Sequence, residues 1–390
     1  MSIFRSRSAR ALPSSASVVI IGGGIQGLAC AFNLWELGVR DVIVLDAGYW
    51  QGGASGRNGT LIRGGFGTPE WTALFQFSNE AWSRLSRTLG HNAMFTRRGY
   101  MMVAETGRTA DMLHSLAPVH DQCGVRHRML KGRQVEEALP AIDASQVKCG
   151  LMLPDGGVAP HHAGMKAFRA ACEDRGIDLR YRTAVTGIER TGGRVSAVLV
   201  GDHRIAADSV MVAAGGHNPV IAAMAGVGLP GFGMRIEAMA LEPVRPLIRP
   251  ALALIDSLCY MHQTGRGEVV GGTEVPERPR MSLSADLPVM AATAAVYARL
   301  FPALRAVRVL RHWAGLIHAT PDYAPIIGEH PALRDLWFSG GWSYGWAGGP
   351  GTGILLARAI AGVEFDSRLR PFAIDRFERG RPLNDPAIVL

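Results

Sequence analysis

The stretch SVVIIGGGIQGLACAFNLWELGVRDVIVLDAG, from Ser17 to Gly48, constrains the fold of this chain more than any other. The run Val18 to Ile21 has the length and β-branching of a buried parallel strand, and Gly22, Gly24 and Gly27 follow it with the spacing G-x-G-x-x-G. The first glycine permits a tight turn, the second lets backbone approach a pyrophosphate, and the third lets the next helix pack closely on its strand. That helix is predicted to run to about Leu37 and stop at Gly38, with its N-terminus facing the phosphates. A second strand, Val42 to Leu45, ends at Asp46, about 20 positions after Gly27, where a carboxylate can accept hydrogen bonds from a ribose diol. Gly22, Gly24, Ile25, Gln26, Gly27, Asp46 and Ala47 are therefore expected to hold a dinucleotide. The motif leaves NAD and FAD both open.

Composition narrows the class. A chain of 390 residues that is 48% hydrophobic and 19% charged reads as a soluble globular protein of about two domains with a sizeable core. Glycine, proline or charge interrupts every apolar run before the ~18 residues that span a bilayer, so no membrane span is expected. The net charge is +8, yet Lys131, Lys148 and Lys166 are the only lysines. A coding bias explains that arginine excess more simply than nucleic acid does, since no basic run with interleaved aromatics occurs. An anionic substrate or partner surface fits better. Cys30, Cys123, Cys149, Cys172 and Cys259 are scattered without C-x-x-C spacing, which indicates reduced thiols in a cytoplasm and neither a disulfide framework nor a metal site. Residues 1–16, MSIFRSRSARALPSSA, look superficially like a transit peptide but are expected to form an N-terminal arm.

Nucleotide-type signals recur along the chain. QGGASGRNGTLIRGG follows Asp46 as a glycine-rich loop, DSVMVAAGG at Asp208 to Gly216 is another strand ending in small residues, and LRDLWFSGGWSYGWAGGPGTGILLARAIAG predicts strand, glycine loop and a helix from about Thr352 to Ala361. Between them lie stretches of different character: strand-like Tyr100 to Ala104, an amphipathic helix over Gly107 to Cys123, strands Met234 to Leu241 and Glu268 to Gly272, and a helix over Val289 to Leu300. The expected architecture is α/β: a Rossmann-like nucleotide domain built from discontinuous segments 17–91, 150–230 and 312–390, and an inserted substrate domain, 92–149 and 231–311, with a mixed or antiparallel sheet and flanking helices. A substrate cleft is expected where the two meet.

The segments GGASGRNGTLIR, HNAMFTRRGYMMVAE, PDGGVAPHHA, VMVAAGG, RHWAGLIHATPDYAPIIG, GGWSYGWAGGPGTG and DRFERGRPL resemble the D-amino-acid oxidase and glycine oxidase superfamily of FAD enzymes, and within it the β subunits of heterotetrameric sarcosine oxidases. The likeness runs from Val18 to about Asn384 and implies FAD as the dinucleotide. It further implies FAD contacts from Gly53, Ser55, Arg57 and Asn58, from Val185, from Ala214 and Gly215, and from Gly345, Gly349, Gly351, Thr352 and Gly353, with the final helix aiming its positive end at the flavin N1 and O2 side.

The activity implied is oxidation of a C–N bond in a secondary amino acid by hydride transfer to flavin N5, followed by imine hydrolysis, without a metal. Arg63 matches the family's carboxylate clamp; Tyr344, Trp342 and Trp346 stand on the flavin-side loop and suit either an aromatic wall around the amine or core packing; His318, Tyr323 and Asp322 share one family segment, in which His318 is expected to face the cleft and Asp322 to be structural. The family's tethering cysteine falls near Gly315, which implies non-covalent FAD. The lysine that promotes reaction with oxygen in monomeric relatives is missing from GEVVGG, and the loop before the last helix has Trp346 and Ala347 where a second cationic clamp is common. His161 falls on the motif that carries covalent FMN at a subunit interface, but Pro160 and His162 flank it in place of a base and an acid, and Pro160 also suits a plain helix start. The expected protein is thus one subunit of an oxidase or dehydrogenase complex. Its alternatives are a stand-alone D-amino-acid or proline-type dehydrogenase and a non-catalytic flavin-binding assembly subunit.

Overall fold

The computed structural model describes residues 11–273 and 279–388. Residues 1–10 of the expected arm lie outside the described residues, while Ser15 and Ala16 already pair with Ala206 and Ala207 as part of the first strand. That strand, Ser15–Ile21, lies between two parallel neighbours, His203–Val212 and Val42–Asp46, and Asp178–Tyr181 continues the parallel series beyond the latter. Gly187–Thr191 and Arg194–Val200 extend the other edge antiparallel, Leu336–Gly340 pairs parallel to His203–Val212, and Ile326–Glu329 closes the sheet.

Alternation along the first strand sorts the core into two layers. Val18 and Ile20 join Val42 and Val44 on the face covered by the helices Ile25–Glu36, Pro69–Leu89, His161–Asp174 and Gly345–Ile360. Val19 and Ile21 join Ile43 and Leu45 on the other face, beneath the short helix Asn218–Met224. Burial on both faces is what a β-branched parallel strand requires.

A second sheet of eight strands runs in the order Val309–Ala319, Phe232–Leu241, Val269–Thr273, Cys259–Gln263, Ala251–Leu254, Tyr100–Ala104, Cys149–Leu153 and Arg128–Leu130. It is antiparallel except where Ala251–Leu254 runs parallel to Tyr100–Ala104, and the helix Leu287–Leu300 packs on one face. Cys149–Leu153 and Val309–Ala319 belong to this sheet and run past the expected boundaries at 149/150 and 311/312. A small sheet of Leu61–Ile62, Gly157–Val158 and Thr96–Arg97 lies where the chain passes between the two units.

The last helix departs most from expectation: it begins at Gly345, not Thr352, and carries Pro350 inside it. Proline cannot continue a helical ladder unaided. Here Ser78, from Pro69–Leu89, inserts its hydroxyl into the turn, donating to the Ala347 carbonyl at 2.6 Å and accepting from the Gly351 amide at 3.0 Å. The neighbouring helix thus repairs the break. No helix among the described residues is long and apolar enough to cross a membrane.

Candidate active site

The glycine loop has the geometry its spacing predicts. Gly22 has φ +119°, and a Cβ there would lie 2.2 Å from the Ala213 carbonyl oxygen; a Cβ on Gly27 would lie 1.9 Å from that of Gly22. Strand and helix can approach this closely only with glycine at both positions. The helix Ile25–Glu36 starts at Gly24, which has no side chain to cap it, and has no acid in its first turn; Ser55 takes the Ile25 amide, and the positive end of the helix is otherwise left to an anion. Asp46 stands at the end of the second strand and accepts from the amides of Gly23 and Gly48, each at 2.7 Å. Ala47 makes the turn that follows.

Beside Asp46 the hydroxyl of Tyr181 is buried and unpartnered, and its ring would meet a Cβ on Gly23 at 2.8 Å. Burial raises its pKa, so the group is a hydrogen-bond donor awaiting an acceptor. This unfilled donor, with the acid-free helix start and the glycine cradle, fits the adenosine and pyrophosphate of FAD. Tyr181 belongs to no motif, and nothing in the sequence marks it.

The segment after Asp46 closes over the helix start. Ser55 Oγ accepts from the Ile25 amide at 3.0 Å, Gly53 has open space on its side-chain side, and Asn58 ties its own loop by donating to the Ser55 carbonyl and accepting from the Thr60 amide. Arg57 donates to the carbonyls of Gly52 and Ala314 and to the Tyr49 hydroxyl, and its own carbonyl accepts from Trp313 Nε1 at 2.8 Å. Arg57 therefore joins the nucleotide loop to the second sheet next to Gly315, whose Cβ would stand 3.4 Å from that of Arg57. Ala214 and Gly215 follow the strand His203–Val212, with the Ala214 amide held by Asn218 Oδ1, and Val185 packs under the same strand ends.

Several expected cofactor contacts are corrected. Gly349 and Gly353 face the helix Ile25–Glu36, where Cβ atoms would approach Ile25 and Ala29 within 2.8 and 2.4 Å, and Gly351 faces Ser78. These glycines let helices touch, whereas Thr352, fully buried in the same helix, has a hydroxyl without a partner. The Gln26 side chain is a brace, donating to the Gly345 carbonyl at 2.8 Å and accepting from Ser339 Oγ. Gly345, now the first residue of the final helix, carries the positive end that the sequence places near Gly351.

The aromatic wall is also reduced. Trp346 donates to the Ala159 carbonyl and packs 5.1 Å from Trp82, while Trp342 donates to Ser339 and packs on Phe75, so both belong to the core. His318 is corrected as well. It is 1% exposed, its Nδ1 accepts from the Gly341 amide at 2.9 Å, and its Nε2 donates to the Pro230 carbonyl at 2.8 Å. Burial pulls its pKa down to about 4, and neither ring nitrogen is left for substrate. Asp322 is structural, gripping Arg376 through both oxygens.

Arg63 is the opposite case. It is 2% exposed, donates to Met102 Sδ and to the Ala387 carbonyl, and has a buried Nε without a partner. Its guanidinium lies 4.1, 4.9 and 5.3 Å from the ring centres of Phe66, Tyr344 and Tyr100. No ion pair to Arg63 is found among the described residues, so a buried cation faces aromatic rings with donors to spare. His161, at the start of its helix, is more enclosed than a surface histidine: burial, then His162 and Arg311, pulls its pKa down to about 4, and Nδ1 has no partner. A separate open groove of about 590 Å³ next to Gly64 and Gly65 is lined by Asn79, Arg126 and Asp155 and touches none of the glycine-loop residues.

Comparison with known proteins gives the family. A family described as DAO, FAD dependent oxidoreductase, matches residues 17–359. Sarcosine oxidase subunit beta of Arthrobacter sp is 31% identical over 381 residues, covering 95% of this chain and 93% of its own. The corresponding subunit of Rhodobacter capsulatus is 28% identical over 374 residues, covering 94% and 90%. Among solved structures, L-proline dehydrogenase from P. horikoshii superposes with a TM-score of 0.90 at 25% identity, over 95% of this chain and 100% of that one. The chain belongs to the DAO family of FAD-dependent oxidoreductases and is an FAD-dependent enzyme of the amino acid oxidase and dehydrogenase type, acting on a CH–NH bond.

Proposed function

We propose that this enzyme oxidises the C–N bond of a secondary amino acid, N-methylglycine or another N-substituted amino acid, with non-covalent FAD and as one subunit of a larger complex. Bound FAD supplies the two-electron acceptor for the hydride that leaves the carbon beside the amine, and the imine so formed is hydrolysed by water. The chain's own residues position the substrate. Arg63 holds the carboxylate through two parallel donors, and Phe66, Tyr100 and Tyr344 wall the pocket. The buried guanidinium also opposes a second positive charge beside it, which favours the neutral amine that the reaction needs.

The observation that carries this reading is the buried Arg63, which has a free Nε and no ion pair among the described residues, since a cation held in such a place calls for an anion from the substrate. Likeness to two sarcosine oxidase β subunits supports the secondary amine and the complex. The fold match to L-proline dehydrogenase supports a second reading, oxidation of a cyclic secondary amino acid. All three lysines are exposed on the surface, so no lysine stands in the site to promote reaction with oxygen, and electrons are passed to a partner instead. FMN on His161 is one such partner, favoured by the unpartnered Nδ1 of a neutral ring and opposed by Pro160. Anaerobic bleaching of the flavin by a panel of N-methyl, cyclic and primary amino acids tests the substrate class. Copurifying subunits and the intact mass of the chain test the complex and the FMN link.

A further inference from the structure

The tail of the chain reaches the same arginine by a defended route. The Leu383 carbonyl accepts from Trp71 Nε1 at 3.2 Å, and the Leu383 amide donates to Asp322 at 2.8 Å. Asp385 then caps the helix Pro69–Leu89, whose own cap residue Thr68 makes no side-chain bond to the helix and instead donates its hydroxyl to Asp385 at 3.1 Å. Its carboxylate accepts from the amides of Gly67 and Thr68 at 2.9 Å and from the Ala387 amide at 2.8 Å. Two residues later the Ala387 carbonyl, fully buried, accepts from Arg63 Nη2 at 2.7 Å.

A guanidinium has five N–H donors in one plane. The Ala387 carbonyl takes one of the two on Nη2, Met102 Sδ takes one on Nη1, and Nε is free. The Nε–H and one Nη2–H lie along one edge of a guanidinium, the spacing that matches the two oxygens of a carboxylate, and on that edge Nε has no partner. We propose that the Asp385–Ala387 turn is part of the acid-binding site: Asp385 is a positioning residue that, through the Ala387 carbonyl, fixes Arg63 so that its Nε and Nη2 edge is presented to the substrate carboxylate. The inference rests on Arg63 being the carboxylate clamp and assigns that clamp its support. It also makes the tail a determinant of how much room a bulky acid has beside Arg63.

A chain shortened to end at Asp385 keeps the helix cap and loses the Ala387 carbonyl, while Asp385→Ala loses the cap and Asp385→Asn retains an acceptor for it. The probe is methoxyacetate, the oxygen isostere of N-methylglycine, titrated into FAD-loaded enzyme and followed by the flavin absorbance change. The shortened chain and Asp385→Ala should bind it more weakly by on the order of tenfold, with FAD affinity unchanged and with KM for the best acid of the panel rising while kcat stays within about twofold. Asp385→Asn, with one acceptor oxygen in place of two, should restore part of the binding. If the shortened chain binds methoxyacetate as tightly as the full chain while Arg63→Ala does not bind it, the support role is wrong and the clamp stands. If Arg63→Ala also binds it unchanged, or the full chain binds none, the clamp and this inference fall together.

Discussion

At the scale of single residues, two side chains that look alike in the sequence separate on burial and partners. Arg63 and His318 both lie in segments that resemble the family, yet His318 has both nitrogens bonded to backbone and Arg63 has a donor without a partner. Sequence identifies a residue type at a position but cannot count its hydrogen bonds, which is why only the structure separates the two. Arg63→Ala should raise KM for an acidic substrate on the order of a hundredfold with FAD still bound, and Arg63→Lys should recover only part, since an ammonium lacks the two-donor edge; steady-state kinetics with and without a carboxylate on the substrate measure both. His318→Ala should instead lower stability by about 1–3 kcal/mol for each buried partner left unpaired, seen as a lower urea midpoint, with the bleaching rate of the folded enzyme little changed. Tyr181 and Asp385 carry no motif at all: each acts through a neighbour that is distant in sequence, the glycine loop for one and the start of the Pro69–Leu89 helix for the other.

At the scale of elements, periodicity and spacing located most strands and helices because their causes are local. Val18 to Ile21, the helix stopping before Gly38 and the strand reaching Asp46 follow from β-branching, a glycine stop and alternation. The start of the last helix was not legible, because what sustains it across Pro350 is a serine from another helix. Ser78→Ala leaves the buried Ala347 carbonyl with Trp82 alone and the Gly351 amide without its acceptor, so thermal unfolding should show a loss of about 1–3 kcal/mol. Gly353→Ala should cost a similar ~1–3 kcal/mol through overpacking, since the new Cβ falls 2.4 Å from that of Ala29. Ser78→Ala should loosen the junction of Pro69–Leu89 with Gly345–Ile360 and Gly353→Ala that of Ile25–Glu36 with Gly345–Ile360, and both should weaken FAD retention on gel filtration.

At the scale of the whole molecule, the two sheets are joined through the nucleotide loop, by Arg57 to the Ala314 carbonyl and by Trp313 to the Arg57 carbonyl, so cofactor binding and domain packing share residues. Stability should also depend on pH through four enclosed histidines. Burial is the leading cause that brings His120, His161, His262 and His318 each down to about 4. The unfolded chain takes up protons on these rings near the ordinary value of about 6.5 and the folded chain does not, so stability is full above pH ~6.5 and falls progressively to about pH 4. Thermal unfolding across that range should show a steady decrease, shallower after replacement of His262 by a neutral residue of similar size. The most direct measurement is anaerobic mixing of FAD-loaded enzyme with N-methylglycine, proline and, as the carboxylate-free counterpart, dimethylamine. Rapid, saturable bleaching by at least one acid, none by dimethylamine, and loss of saturation in Arg63→Ala are the predicted results; equal bleaching by dimethylamine, or none by any amino acid, would contradict an enzyme that selects its amine by the carboxylate it carries.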